Sequence, residues 1–143
     1  MEEIKHILVP VDGSDASQHA LAKAIYLAEH CGSALTLLTV VDMNKEINSF
    51  EQVSTGGYVP EELKEKGYEI LTALMHAVPC EIKADAVVRI GDPAPNIIEY
   101  CEQEPVDLIV MGNRGLSHIK QILMGSVSQY VLLRSRVPVM INK

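Results

Sequence analysis

Short apolar runs alternate with longer amphipathic stretches along the 143 residues of the chain. Residues 4–11 are apolar and rich in β-branched side chains, which reads as a buried strand. Asp12-Gly13-Ser14-Asp15 breaks that run, and Ser14 or Asp15 can cap a following helix. Ala20, Leu21, Ala24, Leu27, Ala28 and Cys31 recur there at helical spacing, and Gly32 is a natural stop. Residues 34–41 form a second apolar run, again followed by an acidic residue, Asp42. The polar stretch 44–58 contains Gly56-Gly57 and reads as an irregular loop, either a surface loop or a lid over a site.

Pro60-Glu61-Glu62 carries the proline and acidic first turn of a helix start. Leu63, Ile70, Leu71, Leu74, Met75 and Val78 give that helix an apolar face. Residues 80–90 alternate, with Cys80, Ile82, Ala84, Ala86, Val88 and Ile90 set against Glu81, Lys83, Asp85 and Arg89. Period-two alternation predicts a strand with one wetter face, near a sheet edge. Gly91-Asp92-Pro93 turns the chain into a short helix with Ile97, Ile98 and Cys101. Residues 106–111 are a further apolar strand, 126–134 read as helix, and 137–141 make a last strand. Strands alternate with helices throughout, the pattern of a parallel, doubly wound α/β sheet. With no repeat, low-complexity tract or linker, residues 1–143 are expected to form one domain.

Composition narrows what such a domain does. With five Tyr, one Phe and no Trp, the core must be aliphatic. The net charge of −7 comes without a basic run, which argues against nucleic-acid binding, since that rests on cationic neutralisation of phosphates. An anionic ligand would need local compensation from backbone N–H groups, a helix N-terminus or a metal ion. Cys31, Cys80 and Cys101 show no C-x-x-C spacing and read as buried thiols in a reducing compartment. The charged N-terminus is unlike a signal peptide and no apolar run reaches membrane-spanning length, so the expectation is a cytoplasmic protein.

Candidate chemistry lies just past the ends of predicted strands, where open parallel sheets bind ligands. Asp12 could accept hydrogen bonds from a ribose hydroxyl or help hold a metal ion, and equally could be a plain turn or cap beside Gly13. The segment from Met111 through Gly112, Asn113, Arg114, Gly115, Leu116 and Ser117 to Gly125-Ser126 is the second candidate. Its glycines let the main chain approach a ligand closely, so that amides and a helix N-terminus could grip a phosphate. Ser126 and Ser128 add hydroxyls and Arg114 a cation; the alternative is a glycine-bearing surface loop. At about 1.5–3 kcal/mol per bond to a charged oxygen, three or four such bonds reach roughly micromolar affinity after entropic losses. No glycine precedes a lysine, so no Walker-type phosphate loop exists, and G-x-G-x-x-G and G-x-S-x-G are absent too. The histidines share no metal-ligand spacing, although His118 sits inside the glycine segment.

Gly112-x-x-Gly115, nine residues, then Gly125-Ser126 resembles the ATP-binding signature of the universal stress protein family. Val9-Pro10-Val11-Asp12-Gly13-Ser14 resembles that family's opening strand and turn, Gly91-Asp92-Pro93 its helix-entry turn, and Val137-Pro138-Val139 its closing strand. The resemblance covers the whole chain. It implies a five-stranded parallel sheet in the order 3-2-1-4-5 with helices on both faces, of the adenine nucleotide α-hydrolase-like type. It further implies that Asp12 contacts ribose, that the Val40 backbone meets adenine, and that Pro10 and Val11 line the base pocket. Met111, Gly112, Arg114, Gly115, Gly125, Ser126, Val127 and Ser128 would surround ribose and phosphates of ATP, ADP or AMP, with Mg²⁺ as an optional companion. A homodimer through the last strand, 137–141, is implied as well; that apolar strand would be an open edge.

Two functions follow from the same site. One is a regulator whose bound nucleotide biases a dimer's conformation or partners, suggested by a phosphate cradle without an evident general base or nucleophile. The other is a slow ATP hydrolase or a phosphoryl or adenylyl transferase using Ser126, Ser128 or His118, with Asp12 holding Mg²⁺. A purely structural dimeric protein would leave the glycine spacing unexplained.

Overall fold

The computed structural model of the chain describes residues 3–42, 60–113 and 124–143. The order of elements is β1 (His6–Pro10), α1 (Asp15–Cys31), β2 (Ala34–Val41), α2 (Pro60–Met75), β3 (Ala84–Ile90), α3 (Pro93–Gln103), β4 (Leu108–Gly112), α4 (Ser126–Arg134) and β5 (Val139–Asn142). All strands pair in parallel, in the spatial order β3-β2-β1-β4-β5. The doubly wound sheet anticipated from the alternation of elements is therefore the architecture found. The segment 44–58 falls outside the described residues.

The central strands are mostly apolar, with Thr36 and Thr39 of β2 buried among them, because each sheet face carries its own helical layer. Ile7, Val9, Leu35, Leu37, Leu108 and Val110 pack with Ala20, Leu21, Ala24 and Ala28 of α1 and with Leu71 and Leu74 of α2. Leu8, Leu38, Ile109 and Met111 pack on the other face with Ile97 and Tyr100 of α3 and Val131 of α4. Successive strand residues thus enter opposite cores, which is the period-two geometry of a pleat.

Local chemistry sets the helix ends. Ser14 caps α1 by accepting the Ser17 N–H, and Gly32 ends that helix in the left-handed region at φ 69°. Pro93 stands in the first turn of α3 behind Asp92. Two expectations need correction. The strand anticipated over 80–90 starts only at Ala84, because residues after Pro79 turn, with the Ile82 N–H bonded to the Pro79 carbonyl. Its alternation is also incomplete: Val87 packs toward one core and Val88 toward the other. The cysteines are not buried thiols. Cys31 is exposed at the end of α1, Cys80 is exposed in the turn between α2 and β3, and Cys101 is only half-buried. Its thiol is raised from 9.0 to about 11, by burial first and then by the Glu102 charge.

Candidate functional site

Between β1 and β4 the chain leaves the sheet toward opposite faces. The connection after β1 leads into α1, on the first face, and the helix after β4, α4, packs on the second. Divergence of that kind opens a crevice at the C-terminal edge of a parallel sheet. Asp12 follows β1 on one side of the crevice, and Met111 and Gly112 end β4 on the other.

Asp12 is half-exposed, and its Oδ1 accepts the Ser14 N–H at 2.9 Å. That bond holds the carboxylate at the rim, and a carboxylate that accepts one hydrogen bond has acceptor capacity to spare. Gly13 turns the chain at φ 84°, a conformation that side chains resist. Ser17, 4% exposed, supports the turn from below, its hydroxyl donating to the Ser14 carbonyl at 2.9 Å. Pro10 is half-buried and Val11 buried, and the Val11 N–H donates to Leu38 O at 2.8 Å, extending the ladder toward the end of β2. Val40 stands at that end, half-buried.

Gly112 is buried. A β-carbon there would lie 2.9 Å from both the Cβ and the carbonyl oxygen of Ala16, so the lack of a side chain lets α1 lie against β4. Gly125 precedes α4 in extended conformation, φ −69° and ψ 159°, and offers no side-chain cap. Its N–H donates to the Asn113 carbonyl, while the Asn113 N–H donates to Asn142 O at 3.1 Å. Ser126 is exposed, Val127 half-buried, and Ser128 buried with its hydroxyl on the Gly112 carbonyl at 2.7 Å. Arg114, Gly115 and His118 lie outside the described residues.

The two helix N-termini differ electrostatically. That of α1 has its Ser14 cap and Asp15 in its first turn. That of α4 has neither a side-chain cap nor an acidic residue in its first turn. Its leading amides have no acceptor within the helix, and the helix dipole favours negative charge there. An anion is therefore better received at Ser126–Ser128 than at Asp15. Among the described residues no group of three or more His, Cys, Asp or Glu is arranged to hold a metal ion.

The sequence profile of the universal stress protein family matches residues 3–143. The chain belongs to the universal stress protein family. Universal stress protein YxiE of Bacillus subtilis is 36% identical, over 94% of this chain and 96% of its own. The solved structure of Methanocaldococcus jannaschii universal stress protein MJ0577 is 28% identical, with a TM-score of 0.83 over 98% of this chain and 96% of the other. A universal stress protein of Archaeoglobus fulgidus, solved in complex with dAMP, shares the fold at 20% identity, with a TM-score of 0.70 and full coverage of both chains.

Within this universal stress protein, Asp12, Val40, Met111, Gly112 and Gly125–Ser128 gather at one edge of the sheet. Sequence reasoning passed over Ala16, Ser17 and Asn142, which support that edge. Ala16 and Ser17 had a signal, being small residues directly after a turn that must pack tightly. Asn142 had none, since its part is played by a backbone carbonyl. A depression of about 540 Å³ lies at the opposite edge, lined by Lys5, Glu29, Glu81 and Lys83 among others. Its cations and carboxylates offset one another, which suits no particular ligand charge.

Proposed function

We propose that this universal stress protein binds an adenine nucleotide, ATP foremost, and works as a dimeric cytoplasmic regulator of the stress response. The observation that carries this reading is the N-terminus of α4, which among the described residues has no side-chain cap and no carboxylate in its first turn, at the sheet's switch point across from the Asp12 carboxylate. A nucleotide has matching polarity, anionic at its phosphates and hydroxyl-bearing at its ribose. Asp12 would accept from ribose, the Val40 backbone would meet adenine, and Pro10 and Val11 would line the base. Met111, Gly112, Arg114, Gly115 and Gly125–Ser128 would border ribose and phosphates. The dAMP held by the Archaeoglobus fulgidus relative supports the ligand class.

Dimerisation would use residues 137–141. β5 ends the sheet, so one side of its backbone lacks a strand neighbour among the described residues, and Met140 is 36% exposed there. A two-fold copy would cover that edge.

The hydrolase or transferase alternative draws less support. Ser128 is 3% exposed with its proton already donated, a poor state for an attacking group. Isothermal titration of ATP, ADP and AMP, beside mass spectrometry of small molecules released from fresh protein, tests the proposal. Binding in the micromolar range, at about −8 kcal/mol, is expected. No heat at millimolar nucleotide and no copurified adenine compound would remove it. Turnover of ATP with Mg²⁺ above buffer controls would move the reading to the enzyme alternative.

A further inference from the structure

Ser128 occupies the first turn of α4 at 3% exposure. A serine has one O–H to give, and this one goes to the Gly112 carbonyl at 2.7 Å. Donating instead to a phosphate oxygen would leave a buried carbonyl with one partner fewer, and such losses are costly where water does not reach. The resemblance to nucleotide-binding relatives makes Ser128 a ligand, whereas its surroundings describe a strut.

The Gly112–Asn113 stretch is gripped from three sides. Ala16 of α1 fills the space where a Gly112 side chain would stand. The Asn113 N–H is bonded to Asn142 of β5, and the Asn113 carbonyl receives the Gly125 N–H ahead of α4. The Ser128 hydroxyl adds a side-chain bond to this grip, joining the last residue of β4 to the first turn of α4.

We infer that Ser128 is a positioning residue, whose hydroxyl fixes the amides at the start of α4 relative to Gly112 and Asp12 and makes no contact of its own with nucleotide. This rests on the nucleotide-binding reading above and gives Ser128 a different part in it. The consequence is that Ser128 matters before any ligand arrives and matters alike for ligands with one or three phosphates.

The test compares wild type, Ser128→Ala and Ser128→Thr by titration with ATP, ADP and AMP, and by amide hydrogen exchange of nucleotide-free protein. Ser128→Ala should weaken all three nucleotides by one common factor, roughly tenfold. It should also speed exchange at the Asn113 and Gly125 amides, and Ser128→Thr, which keeps a hydroxyl, should restore both. A loss graded with phosphate number, with exchange unchanged, makes the hydroxyl a phosphate ligand and overturns the inference. Unchanged affinities beside faster exchange reduce the bond to a purely structural one and overturn it too. Should the threonine methyl prevent folding, the comparison of a common with a graded loss in Ser128→Ala still decides. A wild type that binds none of the three nucleotides defeats the nucleotide reading itself; the other failures arise in a wild type that binds.

Discussion

Gly112 illustrates how one residue can carry two reasons for its identity. The spacing of glycines points to a main chain that a ligand approaches closely, while the fold shows α1 already using that space. An added methyl would lie 2.9 Å from the carbonyl oxygen of Ala16, a backbone atom that cannot rotate away. Gly112→Ala should therefore lower stability by about 1–3 kcal/mol in urea unfolding, ligand or no ligand. Cys101 gives a second prediction at this scale. Its folded thiol holds its proton to about 11 against an ordinary 9.0, so the folded state binds more protons between those values. The stability it contributes is complete below 9.0 and declines as pH rises toward about 11. Urea midpoints at about pH 8 and 10.5 should accordingly fall less in Cys101→Ala than in wild type. Iodoacetamide should label exposed Cys31 and Cys80 ahead of Cys101. Apolar periodicity misplaced these thiols because it records which face a residue shares and not whether the element extends far enough to cover it.

Among the elements, α2 shows packing overriding propensity. Gly67 lies inside this helix, where alanine would ordinarily be better by about 1 kcal/mol. A β-carbon at Gly67 would meet Val88 Cγ1 at 2.7 Å and Thr39 Cγ2 at 3.1 Å, so the glycine is what lets α2 settle on β2 and β3. Gly67→Ala should destabilise, and the cost should shrink in a Val88→Ala background, giving a coupling of about 1 kcal/mol in a double-mutant cycle. Strict additivity would reject this account of the helix. Strand and helix types were legible throughout, and α2, α4 and β2 begin where proline, glycine-serine and apolar signals place them. Strand starts were less so: β3 and β5 begin after residues that are equally apolar, because a strand begins where a partner's ladder begins. Leu35 pairs with Ala84 and Ile109 with Val139, and neither register is written in the paired segment itself.

For the whole molecule, the open flank of β5 is the feature with a consequence beyond the chain. If two copies pair there, Met140→Glu should shift sedimentation from dimer to monomer while the unfolding midpoint of the monomer stays nearly unchanged, since Met140 is already 36% exposed. A sedimentation coefficient independent of this substitution and of concentration would place any association elsewhere. Among the described residues no helix is long and apolar enough to cross a membrane.

Hydrophobic period, turn chemistry and glycine spacing determined by themselves that the chain folds as a doubly wound α/β sheet, and which strand ends carry its glycines and Asp12. These are local properties, set by steric preference and by which side of an element meets water. Tertiary structure alone decided what each polar group at that edge is free to do. Ser14 has its cap to make and Ser128 its carbonyl to hold, whereas the start of α4 has neither a side-chain cap among the described residues nor an acidic residue in its first turn. Hydrogen-bond partners distant in sequence settle such matters, and a hydroxyl with one proton can serve only one of them.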